Sequence, residues 1–259
     1  MQDGASFFQG VNLRVGFYDR LFTHAANLAG EEDFYRGFTA ETDSVLEAAC
    51  GTGRLFGSLS GPGRLLAGFD ASLELLRQAR KNHPTVPLSL QRLESFAFGR
   101  RFTRIVVGYY GLSYVLDAAG RTGHMRCLAA HLEPDGRALI HLPDAEILRR
   151  PIPDHEMAAF QGSRSIRDQA TGFEGALTHR VSEATLEADG AVRAMHFHFA
   201  LRNSQGAILR EETAAMRYAI LDEDDLARLA ASAGLRILDI RKGFSEGIDS
   251  ELIAILAKA

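Results

Sequence analysis

The sequence predicts an α/β fold: five parallel strands flanked by helices, a C-terminal antiparallel pair, and a three-stranded antiparallel insert. Three observations predict it. From residue 45 onward, short apolar runs alternate with helical segments, which is the pattern of a parallel sheet with crossover helices. Two apolar runs near the C-terminus are joined by a link short enough for an antiparallel pair. Between 177 and 220, apolar and polar residues alternate with a period of two, marking strands with one buried face.

The elements follow in chain order. Residues 1–43 read as a mostly helical N-terminal lid, rich in aromatics such as Phe7, Phe8, Phe17, Tyr18, Phe34, Tyr35 and Phe38. A core follows over 44–144. Its strand candidates are Val45 to Ala49, Leu65 to Phe69, Pro87 to Gln91, Arg104 to Tyr110 and Arg137 to Leu142. Between the last two, Met125, Leu128, Ala129 and Leu132 recur at helical spacing and predict a helix over Thr122 to Leu132. Glu133-Pro134-Asp135-Gly136 then reads as a turn. Residues 145–220 hold a loop and the insert. "RRPIPDHEMAAF" has two prolines and no periodicity, so it reads as a loop or short lid, and the three strands are placed at 177–220. There Met195, Phe197, Phe199 and Leu201 alternate with His196, His198, Ala200 and Arg202, with turn residues on either side. Residues 221–259 complete the core. Asp222 is a good N-cap for a helix to Ala233, and Gly234 stands where a C-terminal glycine belongs. The strands Leu235 to Lys242 and Glu251 to Ala257 end the chain.

Composition narrows the function. The chain has 259 residues, 46% hydrophobic and 24% charged, with a formal net charge of -4. No basic stripe is present, so a nucleic-acid partner is not expected. No apolar run is long enough for a membrane span, and "MQDGASFFQG" lacks the pattern of a secretory signal. Two cysteines, Cys50 and Cys127, make no disulfide framework, so a cytoplasmic setting is expected. His196 and His198 share a strand face, but no third ligand is suitably spaced, and no metal is expected.

"VLEAACGTGR" carries the chemistry. Its glycines would let a ligand approach the backbone. The dinucleotide fingerprint fails, because Phe56 stands where a small third residue is needed. A phosphate-binding Walker loop fails too, because no Gly-Lys-Ser/Thr follows. Asp70 ends the second strand, where an acid can accept hydrogen bonds from both ribose hydroxyls. Ser72 is the better cap for the next helix, which leaves Asp70 for a ligand. The combination suits an adenosine without a pyrophosphate.

In order and spacing, "VLEAACGTGR", "GFDAS", "RIVVGYYGLSYVLD" and "HLEPDGRALIHL" resemble class I S-adenosylmethionine-dependent methyltransferases, with their Rossmann-like seven-stranded sheet. The likeness covers residues 18 to 144 and the last two strands. The antiparallel insert further resembles bacterial small-molecule branches, the sugar N-methyltransferases and glycine N-methyltransferase. The resemblance implies S-adenosylmethionine as cofactor and S-adenosylhomocysteine as product. It places Glu47 near the ammonium of the cofactor, Gly51 and Gly53 along its methionine part, Asp70 with Ala71 at the ribose, and Tyr18 in the closing lid. Tyr109 and Tyr110 fall where methyl meets substrate.

Two positions depart from the family. Ala49 replaces a common first glycine. Arg92, followed by Leu93, stands where an acid usually accepts from the adenine amino group, and arginine accepts nothing. Either Glu94 supplies the carboxylate, or backbone and packing hold adenine, or affinity falls. One lost hydrogen bond costs ~0.5–1.5 kcal/mol.

Methyl transfer needs alignment and exclusion of solvent, with a base only for a hydroxyl or ammonium acceptor. His141 is the candidate base, against the alternative of a histidine satisfied by a backbone partner. Tyr109 and Tyr110 could orient substrate or face the sulfonium, and because strand side chains alternate, one of the two is expected to face the ligand. The expected function is methylation of a small molecule of secondary metabolism at O, N or C, with the insert offering a homodimer surface. The competing expectation is a related fold that uses the pocket for cyclisation or isomerisation.

Overall fold

The computed structural model describes residues 28–40, 44–159, 161–168, 172–247 and 249–259. Helix α1 (Glu31–Phe38) precedes β1 (Ser44–Ala48), α2 (Phe56–Leu59), β2 (Leu65–Asp70), α3 (Leu73–Asn82), β3 (Leu88–Leu90), β4 (Phe102–Val107), α4 (Ala118–His131) and β5 (Leu132–Pro143). After α5 (Ala145–Arg149) and α6 (Asp154–Ala159) come β6 (Gly162–Asp168), β7 (Phe173–Glu187), β8 (Val192–Asn203) and β9 (Ile208–Ala219). Helix α7 (Glu223–Ala231) and strands β10 (Leu235–Lys242) and β11 (Glu251–Lys258) follow.

Seven strands form one sheet in the order β10-β11-β5-β4-β1-β2-β3. Strands β1 to β5 pair in parallel. Strand β11 slots between β5 and β10 and is antiparallel to both, so β10 runs the same way as the first five. The chain winds outward from β1 to one side, then returns to β4 on the other. That reversal opens a crevice at the carboxyl ends of β1 and β4, where open α/β sheets take their ligands.

Both faces of this sheet are covered. One face packs Leu46, Phe69, Ile105 and Ile140 under Met125, Leu128 and Leu226 of α4 and α7. The other packs Val45, Leu66, Val106 and Ile253 under Tyr35, Phe56 and Leu76. The central strands are therefore apolar on both sides, as parallel strands must be.

The helix caps agree with their sequences. Ser72 accepts from the Leu75 amide at 3.3 Å, and Asp222 and Asp225 form a reciprocal capping box on α7. Helix α4 starts four residues before the expected Thr122, because the Asp117 carboxylate accepts from the Gly120 amide at 2.6 Å and fixes the earlier start. The expected turn at Glu133 to Gly136 is taken up as an irregularity inside β5. Phe102 pairs with Leu132 and Arg104 with Arg137, so the four residues between bulge outward.

The insert corrects the expectation of three strands, because it is a four-stranded sheet, β6-β7-β8-β9. The additional strand β6 lies in the segment read as loop. It is an edge strand of sequence GSRSIRD, paired on one side alone. It carries Ile166 as its one large apolar residue, so no alternation announced it. On β8 the alternation holds, with Met195, Phe197 and Phe199 buried against Leu177, Met216 and Tyr218. His196 and His198 are half-buried on the opposite face, and His198 Nε2 lies 3.3 Å from Glu211. Among the described residues no group of three or more His, Cys, Asp or Glu side chains is arranged to hold a metal ion.

His124 on α4 is fully buried, and its Nδ1 lies 3.2 Å from the Leu93 carbonyl. Burial lowers its pKa from 6.5 to about 4. The folded value is below the unfolded one, so stability is held above pH 6.5 and lost as pH falls toward 4. The shift corresponds to about 3 kcal/mol. Urea unfolding at pH 7 and pH 4 should show this loss in the wild type and a smaller one in His124→Gln.

Candidate functional site

The glycine loop leaves β1 in left-handed backbone at alternate positions, with φ of 57° at Ala49, 55° at Gly51 and 78° at Gly53. This explains why position 49 favours glycine. An alanine there costs ~1 kcal/mol but adds no bulk beyond a methyl. The Cys50 amide donates to the Phe69 carbonyl at 2.9 Å, tying the loop to β2. Phe56 packs its buried ring against Gly68, where an added Cβ would lie 2.5 Å from Phe56 Cζ. The aromatic ring thus fills the helix–strand contact that a dinucleotide loop leaves to a small residue.

Asp70 is buried and does not stand free. Its Oδ2 accepts from the Gly51 amide at 2.9 Å and its Oδ1 from the Ser72 amide at 2.8 Å. The backbone of Ala71 also bonds to it. Ser72 caps α3, as expected, yet Asp70 still spends both oxygens on the loop it braces. A carboxylate has about four lone-pair positions, so with three donors already bound one acceptor position remains. Desolvation raises its pKa in spite of these donors.

Glu47 is one of five side chains among the described residues with a buried, unpartnered polar atom. It is 3% exposed, and its Oε2 has no hydrogen-bond partner. Desolvation pushes its carboxyl well above 4.5, opposed by the positive charge of Arg54 and reinforced by Glu31 and Asp70. An unmatched buried acceptor costs ~1–3 kcal/mol, and a cation placed against it would recover that cost.

At the expected adenine end, Leu93 is buried. A β-carbon placed on Gly111 would lie 3.3 Å from Ala49 Cβ and 3.8 Å from Leu93 Cδ1, so these three positions line one narrow wall. Arg92 and Glu94 hold each other, with Nε to Oε1 at 2.7 Å and Nη2 to Oε1 at 2.6 Å. Both arginine contacts fall on Oε1.

The two tyrosines depart from expectation. Strand β4 ends at Val107, and Tyr109 and Tyr110 lie beyond it in left-handed backbone with φ of 37° and 64°. Strand alternation therefore does not separate them. Their rings stack with centroids 4.5 Å apart. Consecutive left-handed tyrosines are strained, by about 1–3 kcal/mol each. Tyr110 is anchored through its amide to the His141 carbonyl at 3.1 Å.

His141 is fully buried in β5 and has a side-chain partner in place of the expected backbone one. Its Nε2 lies 2.7 Å from Glu251 Oε2 on β11, and its Nδ1 lies 3.4 Å from the Tyr35 hydroxyl of α1. Glu31, the first residue of α1, comes within 4.0 Å of the same Nδ1. Glu31 is 2% exposed and is gripped by Arg54, with Nη2 to Oε1 at 3.0 Å. Arg54 in turn stands 5.5 Å over the Tyr109 ring. Three buried carboxylates, Glu31, Glu47 and Glu251, are thus gathered with Arg54, His141, Tyr35 and Tyr110 at the carboxyl ends of the central strands.

Tyr18 lies outside the described residues. Of the expected site, the structure brings Glu47, Ala49, Gly51, Gly53, Asp70 and Ala71 into one loop pair, with Leu93 against Ala49. Glu31, Tyr35, Arg54 and Glu251 were missed by sequence reasoning. Glu251 had a readable signal, because it is the one acid in the apolar strand Glu251-Leu252-Ile253-Ala254-Ile255-Leu256. Arg54 directly follows the glycine loop and was a second one.

A family model described as a methyltransferase domain matches residues 20–240. A curated relative from Streptomyces venezuelae, dTDP-3-amino-3,4,6-trideoxy-alpha-D-glucopyranose N,N-dimethyltransferase, is 29% identical over 117 residues, 45% of this chain and 49% of that protein. The chain spans about half the length of the curated relatives it matches. Among solved structures, an S-adenosylmethionine-dependent methyltransferase from Clostridium acetobutylicum superposes with a TM-score of 0.73 at 18% identity, covering 95% of this chain and 98% of that one. A sugar N-methyltransferase from a Streptoalloteichus species gives 0.72 at 17% identity, covering 96% and 94%.

Proposed function

The chain belongs to the methyltransferase-domain family, and from that premise we propose that it methylates an amine nitrogen on a small molecule of secondary metabolism, with S-adenosylmethionine as donor. When bound, that cofactor supplies an electrophilic methyl on a cationic sulfur. The single observation that carries the cofactor reading is the buried, unpartnered Oε2 of Glu47 beside the glycine loop. An ammonium group satisfies it, and Arg54 keeps the cluster from being wholly negative. Gly51 and Gly53 give close backbone approach, Asp70 retains one acceptor position for a ribose hydroxyl, and Ala49, Leu93 and Glu94 border the adenine position. Tyr18 is assigned to the closing segment.

The choice of nitrogen rests on charge. Glu251 bonds the hydroxyl of Tyr110 in the stacked pair, with buried Glu31 and Glu47 in the same cluster, an environment that favours a cationic acceptor and disfavours an anionic one. The amino-sugar acceptor named for the Streptomyces relative has such a group. Tyr109 and Tyr110 orient the acceptor, and His141 acts from behind them. The protein acts as a soluble, cytoplasmic enzyme without a nucleic-acid partner, and the insert sheet is its homodimer surface.

Calorimetry tests the reading. Purified protein should bind S-adenosylhomocysteine and produce it from S-adenosylmethionine when an amino-sugar nucleotide is added. Absence of binding rejects the cofactor, and turnover on a hydroxyl analogue but not the amine rejects the acceptor.

A further inference from the structure

Glu251 is 1% exposed and receives three neighbours at once. His141 Nε2 lies 2.7 Å from its Oε2, and the Tyr110 hydroxyl bonds to its side chain. Ser250 Oγ donates to Oε1 at 3.1 Å. As a carboxylate it accepts from all three. The His141 proton then sits on Nε2, leaving Nδ1 as acceptor for the Tyr35 hydroxyl. Burial is the main cause that raises the pKa values of both Tyr35 and Tyr110, so each keeps its own proton and can donate it. The groups facing this centre are Glu31 and Tyr35 from α1, His141 from β5, Tyr109 and Tyr110 from the loop after β4, and Tyr218 from β9.

Methylating an amine requires its lone pair, whereas the acidic surroundings bind it as an ammonium. A proton therefore has to leave before transfer, and His141 has no exposed surface through which to take it. Tyr110 is half-buried and packs against the insert as well as the core, so it bridges the open side and the buried carboxylate.

We propose that Tyr110 is a catalytic residue that relays the acceptor's proton to Glu251, with Glu251 and His141 as positioning residues behind it. The N–H bond of the ammonium breaks as its proton joins the Tyr110 oxygen. The original Tyr110 O–H bond breaks in concert, and its proton joins the Glu251 carboxylate, which becomes a neutral acid. The electron pair of the broken N–H bond stays on nitrogen as the nucleophile. After product leaves, the proton returns along the same path to water. This inference rests on the amine reading above.

The test uses the full chain with S-adenosylhomocysteine and dTDP-3-amino-3,4,6-trideoxyglucose carrying 15N at the amine. In the wild type at pH 7, the bound probe should show the nitrogen shift of a neutral amine. In Glu251→Gln and Tyr110→Phe it should show that of an ammonium. Turnover with S-adenosylmethionine should fall ~100-fold in both variants, mainly in kcat, and recover as pH rises and free amine becomes available. Tyr110→Phe keeps the stacked ring, so it decides the matter if Glu251→Gln folds poorly. A neutral bound amine in both variants, or an unchanged kcat profile, overturns the relay. A wild type that binds S-adenosylhomocysteine but not the amine overturns the acceptor reading and the relay with it. One that binds neither overturns the cofactor reading.

Discussion

Glu47→Gln is expected to stabilise the protein without ligand and to weaken S-adenosylmethionine binding by about 10- to 100-fold, the value of one charge-assisted hydrogen bond. The two effects share one cause. Glu47 is held without a partner for Oε2 and is raised by burial well above its ordinary 4.5. A raised folded value means that its contribution is fully present below pH 4.5 and is lost as pH rises through the folded value. The variant should therefore gain on the wild type as pH increases from 4.5, reaching about 1 kcal/mol or more at neutral pH. Urea unfolding across that range and calorimetry with the cofactor check the two halves. An unchanged affinity would remove Glu47 from the site, and a less stable variant would show that its carboxylate has a hidden partner.

Arg54→Ala is expected to cost about 3 kcal/mol, because it leaves the Glu31 carboxylate buried without its cation. Arg54 is the link between the glycine loop and α1, so the loss should also loosen α1 from the Tyr35–His141 contact. It also removes the positive charge that lowers Glu47, so cofactor affinity should fall further than the loop geometry alone implies. The double variant Glu31→Leu with Arg54→Met replaces both charges by apolar groups of similar length and should regain most of the stability, but not the affinity. Thermal unfolding of the two variants and the wild type measures this, and a double variant no better than Arg54→Ala would show that the pair is not what holds α1.

How much was legible follows from the range of each interaction. The loop Ala49 to Gly53, the acid Asp70 and the apolar strands were readable because local backbone needs and two-sided burial write themselves into neighbouring residues. The cap on α7 was readable for the same reason. The start of α4 was misplaced because Asp117 was not weighed as a cap. Strand β6 escaped because an edge strand needs little apolar surface and was preceded by prolines.

The sequence by itself determined the parallel sheet, its crevice and the ligand class that the glycine loop admits, because these depend on residues within a few positions of one another. Only the tertiary structure decided what surrounds that crevice. Glu31 and His141 are 110 residues apart in sequence, and so are His141 and Glu251. They meet because β11 inserts beside β5 and α1 folds over the strand ends. The partners of Glu251, His141 from β5 and Tyr110 from the loop after β4, are supplied by distant segments that no local pattern records.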